Sequence, residues 1–167
     1  MPTIFCSTKL SKLIGIQTRL PSLSLDNWNV HIFNLEKKKC LVFVHKETIY
    51  SFVIFDILKR HLKDLQKMFL EGLLNQLDND KLLTDDNKNA IINEFGTIEF
   101  STTDDDKSTI GFLNDCVNRL TWERQGKAPT IIQIKEYVSK YYNDNILLSR
   151  QATTPNKLMA EKLKNYR

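Results

Sequence analysis

Glycine and proline are scarce in this sequence, with five and four residues among 167. That excludes a loop-dominated or repetitive fold, and no internal repeat or low-complexity tract is found. The three cysteines, Cys6, Cys40 and Cys116, are odd in number and widely spaced, which excludes a disulfide framework. The three histidines, His31, His45 and His61, are isolated, and no Cys-x-x-Cys or His-x-x-x-His spacing occurs, so neither a metal site nor a cofactor is expected. No segment approaches the ~18–20 apolar residues that cross a membrane. The opening Met-Pro-Thr-Ile-Phe-Cys lacks the basic region and apolar run of a signal peptide. Together these absences point to a reducing cytoplasm.

What is present suits a globular fold. Apolar residues make up 41% and charged residues 26%, and nine Phe, five Tyr and two Trp supply bulky core material. The net charge of +4 is unevenly placed. Residues 149–167 carry all of it, residues 78–106 are strongly acidic, and residues 28–70 are basic. A pI near 8.9 is therefore a property of the tail and a weak argument for nucleic acid.

Thr3–Cys6 reads as a short strand, followed by Ser7 or Thr8 capping a helix through Lys9–Ile14 that Gly15 ends. Trp28–Leu35, Cys40–His45 and Thr48–Phe55 are rich in β-branched and aromatic residues. Short charged connections join them, which predicts a three-strand antiparallel meander. Ile57, Leu58, Leu62, Leu65, Phe69, Leu73 and Leu77 recur at helical steps and predict a helix over 57–77 packed on that sheet. Shorter helices follow from Thr84 to Phe95, from Ser108 or Thr109 with Ile110, Leu113, Val117 and Leu120 on one side, and from Pro129 through Tyr141. Thr97–Thr102 alternates as a further strand. The pattern predicts an α+β domain over residues 1–148, with an antiparallel sheet packed by several helices, and a basic tail over 149–167.

Several clusters in order carry a resemblance. They are Phe5-Cys6-Ser7-Thr8-Lys9-Leu10, Trp28-Asn29-Val30-His31, Lys38-Lys39-Cys40-Leu41-Val42-Phe43, Ser108-Thr109-Ile110-Gly111-Phe112-Leu113-Asn114-Asp115 and Ala152-Thr153-Thr154-Pro155. With them the chain resembles a bacterial family catalogued as a domain of unknown function. The resemblance spans nearly the whole chain and implies an intracellular single domain with no established activity. His31, and Phe112-Leu113 in place of a Ser-Met pair, depart from the family pattern.

Seven polar residues of these clusters are the candidate binding residues: Thr8, Lys9, Lys39, Ser108, Asn114, Asp115 and Thr154. Cys6, at a strand end before a helix, would suit a nucleophile, but no phosphate-loop Arg or glycine-rich loop accompanies it, and a buried structural thiol is the better account. Asp104-Asp105-Asp106 lacks the spacing of a calcium loop and reads as a solvated stretch before a helix. At 100° per residue Asn114 falls beside the apolar stripe of its helix and Asp115 away from it.

Three readings of function follow. The first is a non-enzymatic binding or protein-interaction module, using the surface near the start of the Gly111 helix and the C-terminal tail. In that reading Leu158, Met159 and Leu163 dock on a groove of the same or another chain, and the tail serves a partner rather than the core. The second is a small enzyme built on a Lys9, Asn114 and Asp115 pocket, and the third is nucleic-acid binding through the basic tail. No catalytic signature decides whether the protein is an enzyme.

Overall fold

A computed structural model describes residues 1–123, 126, 130–148 and 152–166. Pro129, expected to open a helix, and Arg150 and Arg167 of the basic tail lie outside the described residues. Five strands form one sheet among the described residues: β1 (Thr3–Cys6), β2 (Trp28–Leu35), β3 (Lys38–His45), β4 (Ser51–Ile57) and β5 (Glu99–Thr102), in the order β4-β3-β2-β1-β5. The helices are α1 (Thr8–Ile14), α2 (Leu65–Asn79), α3 (Asp85–Glu94), α4 (Lys107–Glu123), α5 (Ile131–Val138) and α6 (Pro155–Leu163). The fold is α+β.

The meander is present as predicted, with β2, β3 and β4 antiparallel. The sheet as a whole is mixed rather than antiparallel, because β1 pairs in parallel with both β2 and β5. Hairpins enforce antiparallel neighbours; β1 reaches β2 only through α1 and a loop, and such a crossover delivers a parallel partner. The β2–β3 hairpin turns on Glu36 and Lys37, both at positive φ (47° and 65°).

β4 begins three residues later than expected. His45 accepts the Thr48 N–H at Nδ1 (3.1 Å), its own N–H donates to the Tyr50 carbonyl (2.9 Å), and Ile49 takes a positive φ of 59°. Residues 46–50 are therefore consumed by a turn built on the imidazole. The strand then runs on to Ile57, which moves the start of the predicted 57–77 helix. Leu58 is exposed, Lys59–Asp64 form a 3-10 turn, and the α-helix starts at Leu65.

Helices cover both faces of the sheet. On one face Leu65, Phe69, Leu73 and Leu77 of α2, Ile91 of α3 with Phe95 just after it, and Leu10 of α1 pack on Ile4, Trp28, Val30, Ile32, Phe43 and Phe52. Phe69 lies at the centre of this aromatic cluster, with ring centroids 5.3 Å from Trp28 and Phe43 and 5.5 Å from Phe95. Gly72 is required here, since a Cβ would sit 2.8 Å from the Phe52 ring. On the other face Leu113, Cys116 and Leu120 of α4 and Ile134, Tyr137 and Val138 of α5 pack on Phe33, Leu35, Val42, Val44 and Val53.

The tail expected to serve a partner contributes to the first face. Met159 and Leu163 are 3% and 5% exposed and belong to the main core. Lys162 pairs with Asp26 (3.0 Å) and Glu47 (2.5 Å), not with the acidic 78–106 stretch, and the Tyr166 hydroxyl donates to Asp26. The apolar stripe of α6 is thus satisfied within the chain.

Candidate functional site

β1 and β5 run in parallel and end side by side, at Cys6 and Thr102. The carboxyl ends of parallel strands are where the chain must turn away from the sheet, and the gap this leaves is the usual ligand crevice of open sheets. Here the Ser7 N–H donates to the Val30 carbonyl (2.9 Å), which holds the exit of β1 against β2. Beyond β5, Asp106 caps α4: its carboxylate accepts the Thr109 hydroxyl (2.8 Å) and the Ser108 N–H (3.1 Å). Burial pushes the Asp106 carboxyl up, but those hydrogen bonds and the charge of Lys46 outweigh it and hold the group below the ordinary range. The sequence reading placed the cap at Ser108 or Thr109; the acidic residue just before them supplies it.

Between these two turns lies a cleft of about 350 Å³. Its apolar surfaces come from Phe5 of β1 and Ile110 and Leu113 of α4. Its polar lining comes from Ser7, Thr8 and Lys9, from Asn29 and His31 of β2, from Thr103 and Asp105 after β5, and from Asn114. Asn29 is 4% exposed, and its Nδ2 has no hydrogen-bond partner. Its ladder neighbours explain why: Phe5 on β1 and Val44 on β3 offer no side-chain acceptor. An unpaired buried donor of this kind costs ~1–3 kcal/mol. His31, half-buried, has its pKa lowered by burial and then by the nearby charge of Lys9.

The charges around the cleft are mostly committed elsewhere. Lys46 pairs with Asp104 and Asp106, and Arg19 with Asp105 (3.3 Å). Lys9 is in no ion pair among the described residues. The cleft is therefore left with one uncommitted cation and one uncommitted buried amide.

Of the seven candidate residues, the structure brings Thr8, Lys9 and Asn114 to this cleft. Asp115 turns away and pairs with Arg119 one helical turn on (3.2 Å), so the Lys9, Asn114 and Asp115 constellation does not converge. Ser108 is exposed in the first turn of α4 and outside the lining, and Lys39 is exposed on β3. Thr154 caps α6, accepting the Lys157 N–H (3.3 Å). Asn29 and His31 were missed as site residues. Their signal was the change along one face of β2, polar at Asn29 and His31 and apolar at Phe33 and Leu35.

Cys6 lies on the opposite face, in the main core, and burial pushes its thiol up to about 12. Burial thus disfavours the thiolate that a nucleophile needs. Among the described residues no group of three or more His, Cys, Asp or Glu is placed to hold a metal ion, and no helix is long and apolar enough to cross a membrane.

A second groove, about 460 Å³, follows the outer edge of β4 between Met68 and Gly72 of α2 and Ile131 of α5. Gln76, at its inner end, is 1% exposed and has an unpartnered Oε1. Its Nε2, however, donates to Asp80 (3.1 Å) and Ser139 (3.0 Å). Asp80 in turn accepts from Tyr50 (2.7 Å) and Asn143 (3.0 Å). That network fastens the turn after α5 to α2 and β4, a structural task Asn29 does not share.

No curated protein matches the chain with significance. The model of one family, described as Domain of unknown function (DUF6933), matches residues 3–158, a span that includes every residue named for the cleft. The chain belongs to that family.

Proposed function

We propose that the protein is a non-enzymatic small-molecule-binding module whose site is the cleft at the carboxyl ends of β1 and β5. The observation that carries this reading is Asn29, an amide buried at 4% exposure with no partner for its Nδ2, in the wall of an open cleft. A fold tolerates such a group where a ligand supplies the missing acceptor. The volume is at the lower end of the ~300–1,000 Å³ range of ligand sites, and the lining mixes apolar surfaces with a few convergent polar groups as such sites do. Catalysis is not favoured: the Cys6 thiol is buried on the other face, and among the described residues no lining hydroxyl is hydrogen-bonded to His31.

The described part of the tail gives little support to partner docking or nucleic-acid binding through it. Its apolar face is used by the core, and Lys162 and Lys164 are engaged by Asp26, Glu47 and Glu161. A screen of small neutral and charged fragments against the ¹⁵N-labelled protein tests the proposal. Fragments are expected to shift the resonances of residues 7–9, 29–31 and 110–114. Hits confined to the β4 groove, or no hits at all, would overturn it.

A further inference from the structure

Given that reading of the cleft, its contents specify a charge. Asn29 offers a buried N–H donor, and its strand neighbours Phe5 and Val44 leave it nothing within the fold to donate to. Lys9, exposed beside it on the lining, is the one cation there without a carboxylate partner among the described residues. The acids that might have neutralised it are occupied: Asp104 and Asp106 by Lys46, Asp105 by Arg19, Asp115 by Arg119. Asp105 is itself on the lining, but its carboxylate is engaged by Arg19, so what is left unpaired is a fixed donor with a free ammonium, a set that favours an oxyanion.

Two further observations set the number of charges and the rest of the ligand. His31 has its pKa lowered by burial and by Lys9 and adds no charge at physiological pH, and the lining Asp105 is engaged by Arg19, so among the described residues Lys9 is the one unpaired charge facing the cleft. A doubly charged phosphate would be left half-compensated, whereas a carboxylate matches it. Ile110, half-buried, and the nearly covered Phe5 and Leu113 behind it give the same cleft an apolar wall. We infer that the cleft binds a small monocarboxylate, its oxygens taken by the Asn29 amide and the Lys9 ammonium and its apolar body laid on Phe5, Ile110 and Leu113.

Titration of the ¹⁵N-labelled full chain with benzoate, with the isosteric neutral benzamide and with inorganic phosphate tests this. Benzoate is expected to shift the Asn29 side-chain amide together with residues 7–9 and 110–114, at least tenfold more tightly than benzamide or phosphate. Lys9→Ala and Asn29→Leu should each weaken benzoate at least tenfold. The weakening by Lys9→Ala should shrink as salt is raised, whereas that by Asn29→Leu should not. If benzamide binds the same residues as tightly as benzoate, the cleft survives as a site and the carboxylate assignment falls. Tighter binding by phosphate would overturn the single-charge argument. Silence of the cleft toward all three probes, with hits there from uncharged or cationic fragments, would sink the anion inference alone; silence toward every fragment would sink the binding reading with it.

Discussion

The two faces of strand β2 are built from one run of eight residues and end in opposite conditions. On one side Trp28, Val30 and Ile32 are covered by helices and by the aromatic cluster around Phe69, and all are within 2% of complete burial. On the other side Phe33 and Leu35 are packed under α4 and α5, but Asn29 and His31 open onto the cleft. The closed face is what stability requires. The open end of the second face is where apolar packing stops, and it stops where the strand sequence changes from apolar to polar. Stability and a ligand site are thus separable along a single strand.

The sharpest way to break the closed face is to remove α6. Met159 and Leu163 are both buried in the main core, and losing two such side chains removes ~4–8 kcal/mol, comparable with the whole stability of a domain this size. A chain ending at residue 153 is expected to be unfolded or molten by near-ultraviolet circular dichroism. A cooperative transition close to that of the full chain would show that α6 is an appendage after all.

Next in size is Phe69→Ala. Phe69 is fully buried, and truncation there is expected to cost ~3–5 kcal/mol by urea denaturation. The cleft lies across the sheet, so benzoate shifts in the variant should keep the wild-type pattern under conditions where it remains folded. A cleft that collapses with Phe69 would mean that the two faces are not independent.

Acid acts on the closed face too, through His45. Burial, and after it the charge of Lys162, lower the folded pKa of His45 from 6.5 to about 3, while Asp26 and a backbone carbonyl oppose this only in part. Glu47 and Tyr166 complete the ionisable surroundings, on Lys162 and Asp26. With the folded value below the unfolded one, the unfolded chain binds the extra proton between them. Stability from this group is complete above pH ~6.5 and falls as pH drops toward 3. Between pH 6.5 and 4.5, before most carboxylates titrate, a loss of ~2–3 kcal/mol is expected. His45→Gln should flatten that slope at some cost to the turn it supports; an unchanged slope would show that other groups carry it.

How much of this was legible in sequence follows the same division. The meander, the α2 stripe and the cap at Thr84 are local, written in periodicities of two and four residues and in a side chain that reaches its own helix end. The parallel pairing of β1 was not, because nothing in Thr3–Cys6 distinguishes a parallel from an antiparallel partner; the crossover through α1 decides it. Residues 48–50 looked like strand by composition, and the imidazole of His45 makes them part of a turn. At the site, Thr8 and Lys9 were found through the cluster at the start of α1, and Asn114 through its place beside the apolar stripe of its helix. Asn29 and His31 were passed over because polar alternation on a strand ordinarily means a solvated face, and here that face lies under α4.

The smallest expected effect separates the faces most cleanly. Asn29→Leu keeps the volume of the side chain and removes a buried donor that the fold leaves unpaired. Replacing such a group by an apolar one of similar shape is stabilising by ~1 kcal/mol, and thermal unfolding should register a rise of a few degrees. A residue retained only for packing would show the opposite sign, as most core substitutions do. A rise in stability accompanied by loss of benzoate binding is the signature of a side chain kept for its ligand. A fall in stability would mean that the Asn29 amide is satisfied within the native protein, and the cleft would then lose the observation on which its function rests.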